Sequence, residues 1–243
     1  MRIEDLNWMD VKEYLKHDDR LMLVLGACEQ HGYLSLLSDV KIPLALADAA
    51  SQQTGVLVAP PVNFGSSPYF LTYPGTFSLR LSTLLDAVED IVRSAYGQGF
   101  KRILVLNGHG GNNGVKARLT ELANEPSGSS TGLPREGSAR GLKVQWYAWW
   151  QSHSVETVAT RHEIKPSHAN WLEAFPFTIV GDLPVGEKVP PAVPSDIMDA
   201  QTTRQVYGDG SFGGRYQVTK EIMQEVFEAA LQDVLHLLKF EYG

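Results

Sequence analysis

The sequence predicts an α/β fold, a three-layer αβα arrangement around a mainly parallel sheet. Three observations carry that expectation. Four apolar runs of strand length stand at residues 21–26, 56–62, 102–106 and 142–149. Stretches of helical spacing separate them, and strands alternating with helices imply a parallel sheet covered on both faces and joined by right-handed crossovers. Two of the runs end in dense clusters of polar residues, and the carboxyl ends of parallel strands are where ligands and catalytic groups gather.

Taken in order, residues 21–26 read as the first strand and lead into Glu29-Gln30-His31-Gly32. Residues 43–53 read as a short helix with Pro43 near its start, where a missing N–H does least harm. Residues 56–62 form the second strand. The next helix sets Leu84, Leu85, Val88, Ile91, Val92 and Ala95 on a core-facing side. The third strand, 102–106, runs into Asn107-Gly108-His109-Gly110-Gly111-Asn112, and a helix continues over 112–124. Residues 142–149 form the fourth strand. The last helix covers 219–240, with Ile222, Val226, Phe227, Ala230, Val234 and Leu237 on one side. Residues 125–141, rich in Ser, Gly, Pro and Arg, are expected to be a mobile surface loop. Residues 185–209 lack periodicity and carry Pro190, Pro191 and Pro194. No repeat or domain boundary stands out, so 1–243 is expected to be a single domain.

At 243 residues the chain is long enough for one large core, and its 43% hydrophobic and 20% charged content is ordinary. A net charge of −7 with no basic run argues against a nucleic-acid partner. The apolar runs are far short of a membrane span, and the acidic N-terminus lacks the apolar stretch of a secretory signal. Cys28 is the single cysteine, so no internal disulfide forms, and a cytoplasmic location is expected. Cys28 reads as a small buried residue rather than a nucleophile, because the adjacent Glu29 disfavours a thiolate.

Glu29, His31, Asp39 and His109 suggest a metal site. Imidazole and carboxylate supplied from separate loops suit Zn, Mn or Fe. Residues two apart on an extended segment share a side, so Glu29 and His31 can act together, and Asp39 needs only a short turn to join them. His109 is hemmed by Gly108, Gly110 and Gly111, which permit close backbone approach. The run could instead be a plain tight turn, or an anion cradle at a helix start. It lacks the spacing of either standard phosphate-binding motif.

These residues fall in motifs that resemble the creatininase family of metal-dependent amidohydrolases. The family's first motif, roughly G-[SA]-x-E-Q-H-G-x-H-L-P-L-x-T-D, stands here at residues 26–39, from Gly26 to Asp39. The second, F-P-G-T-x-S-L, stands as Tyr73-Pro74-Gly75-Thr76-Phe77-Ser78-Leu79, and the third, N-G-H-G-G-N, is complete at residues 107–112. The fourth, H-[AG]-G-x-x-E-T-S, stands as His168-Ala169-Asn170-Trp171-Leu172-Glu173-Ala174-Phe175.

The resemblance implies a creatininase-like domain with metal ligands at Glu29, His31, Asp39 and His109, and with Asp39 bridging two divalent ions. In the creatinine-hydrolysing enzymes a Glu follows two residues after the third-motif His. Here that position is Gly111, and Glu173 is expected to supply the carboxylate. His168 corresponds to the family's catalytic His. The chain is one residue shorter than the motif between Gly32 and Asp39, and Tyr33 replaces the motif's second His. Tyr69-Phe70 replaces the usual Glu-His pair, and Ala174-Phe175 the Thr-Ser pair. These departures leave the inner ligands and change their surroundings.

The expected reaction is hydrolysis of a non-peptide C–N bond, an amide or creatinine-like cyclic amide, by metal-bound hydroxide. A divalent ion lowers the pKa of bound water from about 15.7 to about 7. His168 is the expected proton donor, and Glu173 is expected to hold a metal or the attacking water. The two are five apart, so both reach one centre only from a loop or a helix start. Tyr73 is expected at the substrate. Trp146 and Trp149 either stack on a planar substrate, as tryptophans do there in creatininase, or belong to the core or a subunit interface. The family also offers a formylamino-pyrimidine deformylase or a cofactor-maturation peptidase. From another class, a non-catalytic metal- or ligand-binding module is kept open by Gly111. The expected partners are a small-molecule amide substrate and further copies of the chain, a hexamer by family resemblance.

Overall fold

A computed structural model describes residues 1–124 and 141–241. The loop expected over 125–141 lies, except for Gly141, outside the described residues. Four strands, β1 (Arg20–Leu25), β2 (Leu57–Val58), β3 (Arg102–Asn107) and β4 (Lys143–Ala148), form an all-parallel sheet in the order β2-β1-β3-β4. A second, antiparallel pair joins β5 (Glu187–Lys188) to β6 (Gly214–Arg215). The helices are α1 (Trp8–Tyr14), α2 (Ser38–Thr54), α3 (Leu81–Gln98), α4 (Asn113–Ala123), α5 (His153–Arg161), α6 (Ala200–Tyr207) and α7 (Lys220–Leu237).

Strand alternation sorts the core into two layers. Met22, Val24, Leu104 and Leu106 face α2, α5 and α7, while Leu21, Leu23, Leu25, Ile103 and Val105 face α3 and α4. The register pairs Leu25 with Asn107, so β1 and β3 leave the sheet side by side and at the same level. That register brings the two polar clusters together.

Several elements differ from expectation. β2 is shorter than 56–62 because Pro60 and Pro61 cannot donate to the ladder; pairing with β1 resumes at Val62. Ile91 is 37% exposed, because the buried stripe runs through Leu84, Val88, Val92 and Ala95. Residues 185–209 hold both β5 and α6. The short helices α1 and α5 are set by their caps. Asn7 accepts from the Met9 and Asp10 amides, with Asp10 closing the box, and Ser152 accepts from the Ser154 and Val155 amides.

α2 begins earlier than expected, at Ser38, which puts Pro43 inside it. Proline there removes the helical bond to the Asp39 carbonyl. Two glycines pack against that carbonyl: a Cβ would lie 1.8 Å from Asp39 O at position 108 and 2.7 Å at position 26. Gly108→Ala is therefore expected to destabilise the metal-free protein by about 3 kcal/mol, a fall in Tm of about 10 °C at this chain length. Thermal unfolding in chelator checks it, and an unchanged Tm would show that this contact is not tight. No helix among the described residues is long and apolar enough to cross a membrane.

Candidate metal centre

Asp39 sits in the first turn of α2, where helix N–H groups and dipole favour a carboxylate. Glu29 lies in the loop after β1, 1% exposed, with its amide donating to Leu36 O at 2.9 Å. His109 follows β3 directly. Asn107 braces it, donating from Nδ2 to His109 O at 2.8 Å and accepting the His109 amide at 3.2 Å. Asn112 donates to Gly26 O at 3.1 Å, which ties this turn to the end of β1. The asparagines of the Asn-Gly-His-Gly-Gly-Asn run thus act as buried brackets.

Among the described residues the ligand-type atoms form three groups, two of which share Asp39. Glu29, Asp39 and His109 make one, and His31, Asp39 and Glu173 the other; within each group one atom per residue lies within 4.8 Å of the others. His109 Nδ1 stands 2.9 Å from Asp39 Oδ2, and His31 Nε2 stands 2.9 Å from Asp39 Oδ1. The two carboxylate oxygens therefore face different groups. Each imidazole is oriented by a backbone carbonyl: His109 Nε2 donates to Ser66 O at 2.9 Å and His31 Nδ1 to Glu29 O at 3.0 Å. That leaves His109 Nδ1 and His31 Nε2 to meet the centre, the outer arrangement metal-binding histidines require.

A cation fits this donor set. Glu29 Oε2 and Asp39 Oδ2 are buried without a hydrogen-bond partner among the described residues. His109 approaches both, at 3.5 Å and 2.9 Å, without being aligned to donate. Buried carboxylate oxygens without donors are costly unless a cation offsets them. In the metal-free chain protons stand in. Burial disfavours a charged His109, but Glu29 and Asp39 outweigh it and hold the imidazole at about 9. Burial likewise opposes the raised His31, which Asp39 and Glu173 stabilise. Burial also works against ionised Asp39, but the two imidazoles keep it well below the usual carboxylate range. Burial pushes Glu173 up to about 7, and Asp39 adds to it. Three carboxylates around the turn rule out an anion cradle.

His168 lies just before a 3₁₀ turn, Trp171–Glu173, capped by Asn170. Glu173 Oε2 accepts from the Ala169 amide at 2.6 Å, and Ala169 takes the left-handed φ of 52° needed to close that contact. His168, in the segment before the turn, and Glu173, at the end of it, thus both reach the cluster, with Glu173 Oε1 3.8 Å from His31 Nε2. His168 Nδ1 is 3.9 Å from Glu29 Oε1, and its ring is 4.7 Å from that of His31. Phe70 stacks on it at 5.0 Å and Phe212 tilts against it at 4.8 Å. Burial, helped by His31, lowers His168 to about 3.

Trp149 is 2% exposed and packs edge-on against Phe175 at 5.9 Å, so of the two readings open for it the structure places it in the core. Trp146 is half-buried against the α3–α4 layer. Tyr73 lies 6.1 Å from Phe70, with the Arg204 guanidinium 5.4 Å from its ring; its hydroxyl is buried without a partner among the described residues. At Gly111 a Cβ would fall 1.9 Å from Ser66 O and 2.5 Å from His109 Nε2. The strand-to-helix segment at Ser66 and Ser67 occupies the space a side chain at 111 would need. Burial raises the Cys28 thiol, in keeping with an inert residue.

Sequence reasoning missed Ser66, Ser67 and Phe212. Ser67 Oγ is 3.2 Å from His109 Nε2. Nothing in a Ser-Ser pair signals this, and Phe212 stands among the glycines Gly208, Gly210, Gly213 and Gly214 with no pattern that points to His168. Phe70 was visible as a departure from the motif, but its stacking on His168 was not.

A family model described as creatinine amidohydrolase matches residues 4–238. Creatinine amidohydrolase of Pseudomonas putida is 32% identical over 132 residues, 49% of this chain and 51% of that protein. Mycofactocin precursor peptide peptidase of Mycolicibacterium smegmatis is 36% identical over 99 residues, 38% of this chain and 40% of that protein. The chain thus spans about half the length of the curated relatives it matches, or less. The solved structure of a manganese creatininase covers 99% of this chain and 98% of its own, with a TM-score of 0.79 and 21% identity, a likeness of fold.

Proposed function

This chain belongs to the creatininase family, and from that premise we propose that it is a metal-dependent amidohydrolase cleaving a non-peptide C–N bond of a small molecule. The observation that carries the reading is the sharing of Asp39 between two donor groups whose buried carboxylate oxygens have no other partner. Glu29, Asp39 and His109 would hold one divalent ion, and His31, Asp39 and Glu173 a second, of Zn, Mn or Fe. Such ions supply a nucleophile from water at neutral pH and polarise the substrate carbonyl. The chain's own residues do the rest. Asp39 sets the spacing of the two groups. His168 donates to the departing nitrogen. Phe70 and Phe212 hold the His168 ring and keep water from its faces.

Zinc- or manganese-loaded protein, offered creatinine, N-formyl amides and short peptides, tests the reading. Turnover of a small amide is expected. Turnover of peptides alone would favour trimming, a second reading supported by the identity to the mycofactocin peptidase. Stoichiometric metal with no turnover would favour a binding module. Glu173→Gln is expected to weaken metal binding by more than the about 10–100-fold typical of outer partners, which metal titration reads. Tyr73→Phe is expected to raise KM about three- to tenfold at unchanged kcat, as loss of one substrate hydrogen bond would. An unchanged KM removes Tyr73 from the substrate.

The protein acts as one domain over 1–243, in the cytoplasm and as a homo-oligomer. Exposed Phe64 and Phe77, edge to face at 6.2 Å, support a contact between copies. Light scattering at the eluted peak measures it.

A further inference from the structure

Gln30 is buried, 4% exposed, and its carboxamide is fully committed. Its Oε1 accepts from the Gly32 amide at 3.0 Å. Its Nε2 donates to Gly210 O at 3.1 Å and lies 2.9 Å from His168 Nε2. A backbone N–H can only donate and a carbonyl can only accept, so the Gly32 amide and the Gly210 carbonyl allow the carboxamide one orientation. Gly210 makes the fit possible. Its φ is +95°, and a Cβ there would sit 1.8 Å from Gln30 Oε1. The His168 ring has little freedom to turn, because Phe70 stacks on it and Phe212 leans on it.

With an NH₂ group facing it, His168 Nε2 is an acceptor. A neutral imidazole then carries its hydrogen on the other nitrogen. That nitrogen, Nδ1, is the one 3.9 Å from Glu29 Oε1. His31 and His109 are arranged the opposite way: carbonyls take the hydrogen on their outer nitrogens, so the inward nitrogens are the ones a cation would find bare once it displaces their protons. Glu29, His31 and His168 are close enough to pass for a third metal group, but a nitrogen bearing hydrogen cannot ligate.

We propose that Gln30 is a positioning residue that fixes His168 as the Nδ1–H tautomer, so that His168 meets the centre as a hydrogen-bond donor and not as a metal ligand. The proposal rests on the placement of His168 in the proposed active site and deepens its role there. An N–H aimed inward is the form that can meet a departing nitrogen or a carbonyl oxygen as charge develops on it. It also explains why the motif carries an amide at position 30: a carboxylate would accept where the network needs a donor.

The test is solid-state NMR of zinc-loaded, 15N-histidine-labelled protein, with the His168 signal assigned by its loss in His168→Phe. Wild type is expected to show His168 protonated at Nδ1 and bare at Nε2. In Gln30→Glu the proton is expected at Nε2, and in Gln30→Met, which keeps the bulk but not the amide, a mixture. Both variants should keep their zinc; Gln30→Glu should lower kcat by about 10²–10⁴-fold with little change in KM, and Gln30→Met by much less, in proportion to the Nδ1–H form it loses. An Nε2–H or zinc-bound His168 in wild type overturns the proposal, and this arm needs no variant to fold. A wild-type His168 signal in folded Gln30→Glu overturns it too. If the tautomer holds and no amide is turned over, the functional reading fails and the positioning role stands. If amides are hydrolysed and His168 carries Nε2–H, the reverse follows.

Discussion

Asp39→Asn is expected to empty both metal positions at once and to reduce hydrolysis to background. The substitution keeps the shape and removes the charge. Asp39 is the one residue common to both donor groups, with Oδ1 toward His31 and Oδ2 toward His109. An amide offers one uncharged oxygen and turns an N–H₂ group toward the other imidazole, so one group loses its oxygen and both lose the shared negative charge. His31→Ala or His109→Ala, by contrast, removes a ligand from one group and should cost one ion preferentially. Plasma mass spectrometry of the purified proteins compares the three. The metal-free Asp39→Asn protein should stay folded but unfold at a lower temperature than metal-free wild type, because it loses the carboxylate that stabilises the charged His31 and His109 imidazoles. A full metal complement in Asp39→Asn would disprove the bridging role. Loss of metal with a collapsed Tm would instead mark Asp39 as structural.

His168→Ala should keep its metal and lose kcat by about 10²–10⁴-fold, the range for removing a side chain that donates to the leaving group. The separation of the two effects is the informative part. Nδ1 of His168 faces Glu29 but bears hydrogen, so no ligand is lost with it. The ring does fill space between Phe70 and Phe212, and its removal leaves a gap that lowers stability. His168→Phe keeps the packing and controls for that. Wild-type turnover in either variant would remove His168 from the reaction while leaving the metal centre untouched. Loss of metal in His168→Phe would make it a ligand after all.

The layered fold and the convergence of Glu29, His31, Asp39 and His109 were legible in the sequence for a local reason. Apolar runs and helical stripes report burial directly, and Glu29, His31 and His109 each stand just past a strand. The errors were local as well. Pro60 and Pro61 shorten β2, Ile91 falls outside a stripe set by Leu84, Val88 and Val92, and α1 and α5 are too short for periodicity and depend on Asn7 and Ser152. Trp149 was ambiguous because an aromatic residue at a strand end looks alike whether it faces a ligand or Phe175.

Residue types and their order along the chain thus determined by themselves which side chains could bind metal and that they would meet at strand ends. How they divide was decided only in three dimensions. The pairing of Leu25 with Asn107 sets Glu29 beside His109, the turn at Ala169 swings Glu173 to His31, and Asp39 falls between them. Hydrogen-bond partners far away in sequence then settle which nitrogen of each imidazole faces inward: Ser66 for His109, and Gln30, clamped by Gly210, for His168. Spacing along a chain carries no information about such contacts, because a tautomer depends on the atom opposite, and only the folded backbone brings that atom there.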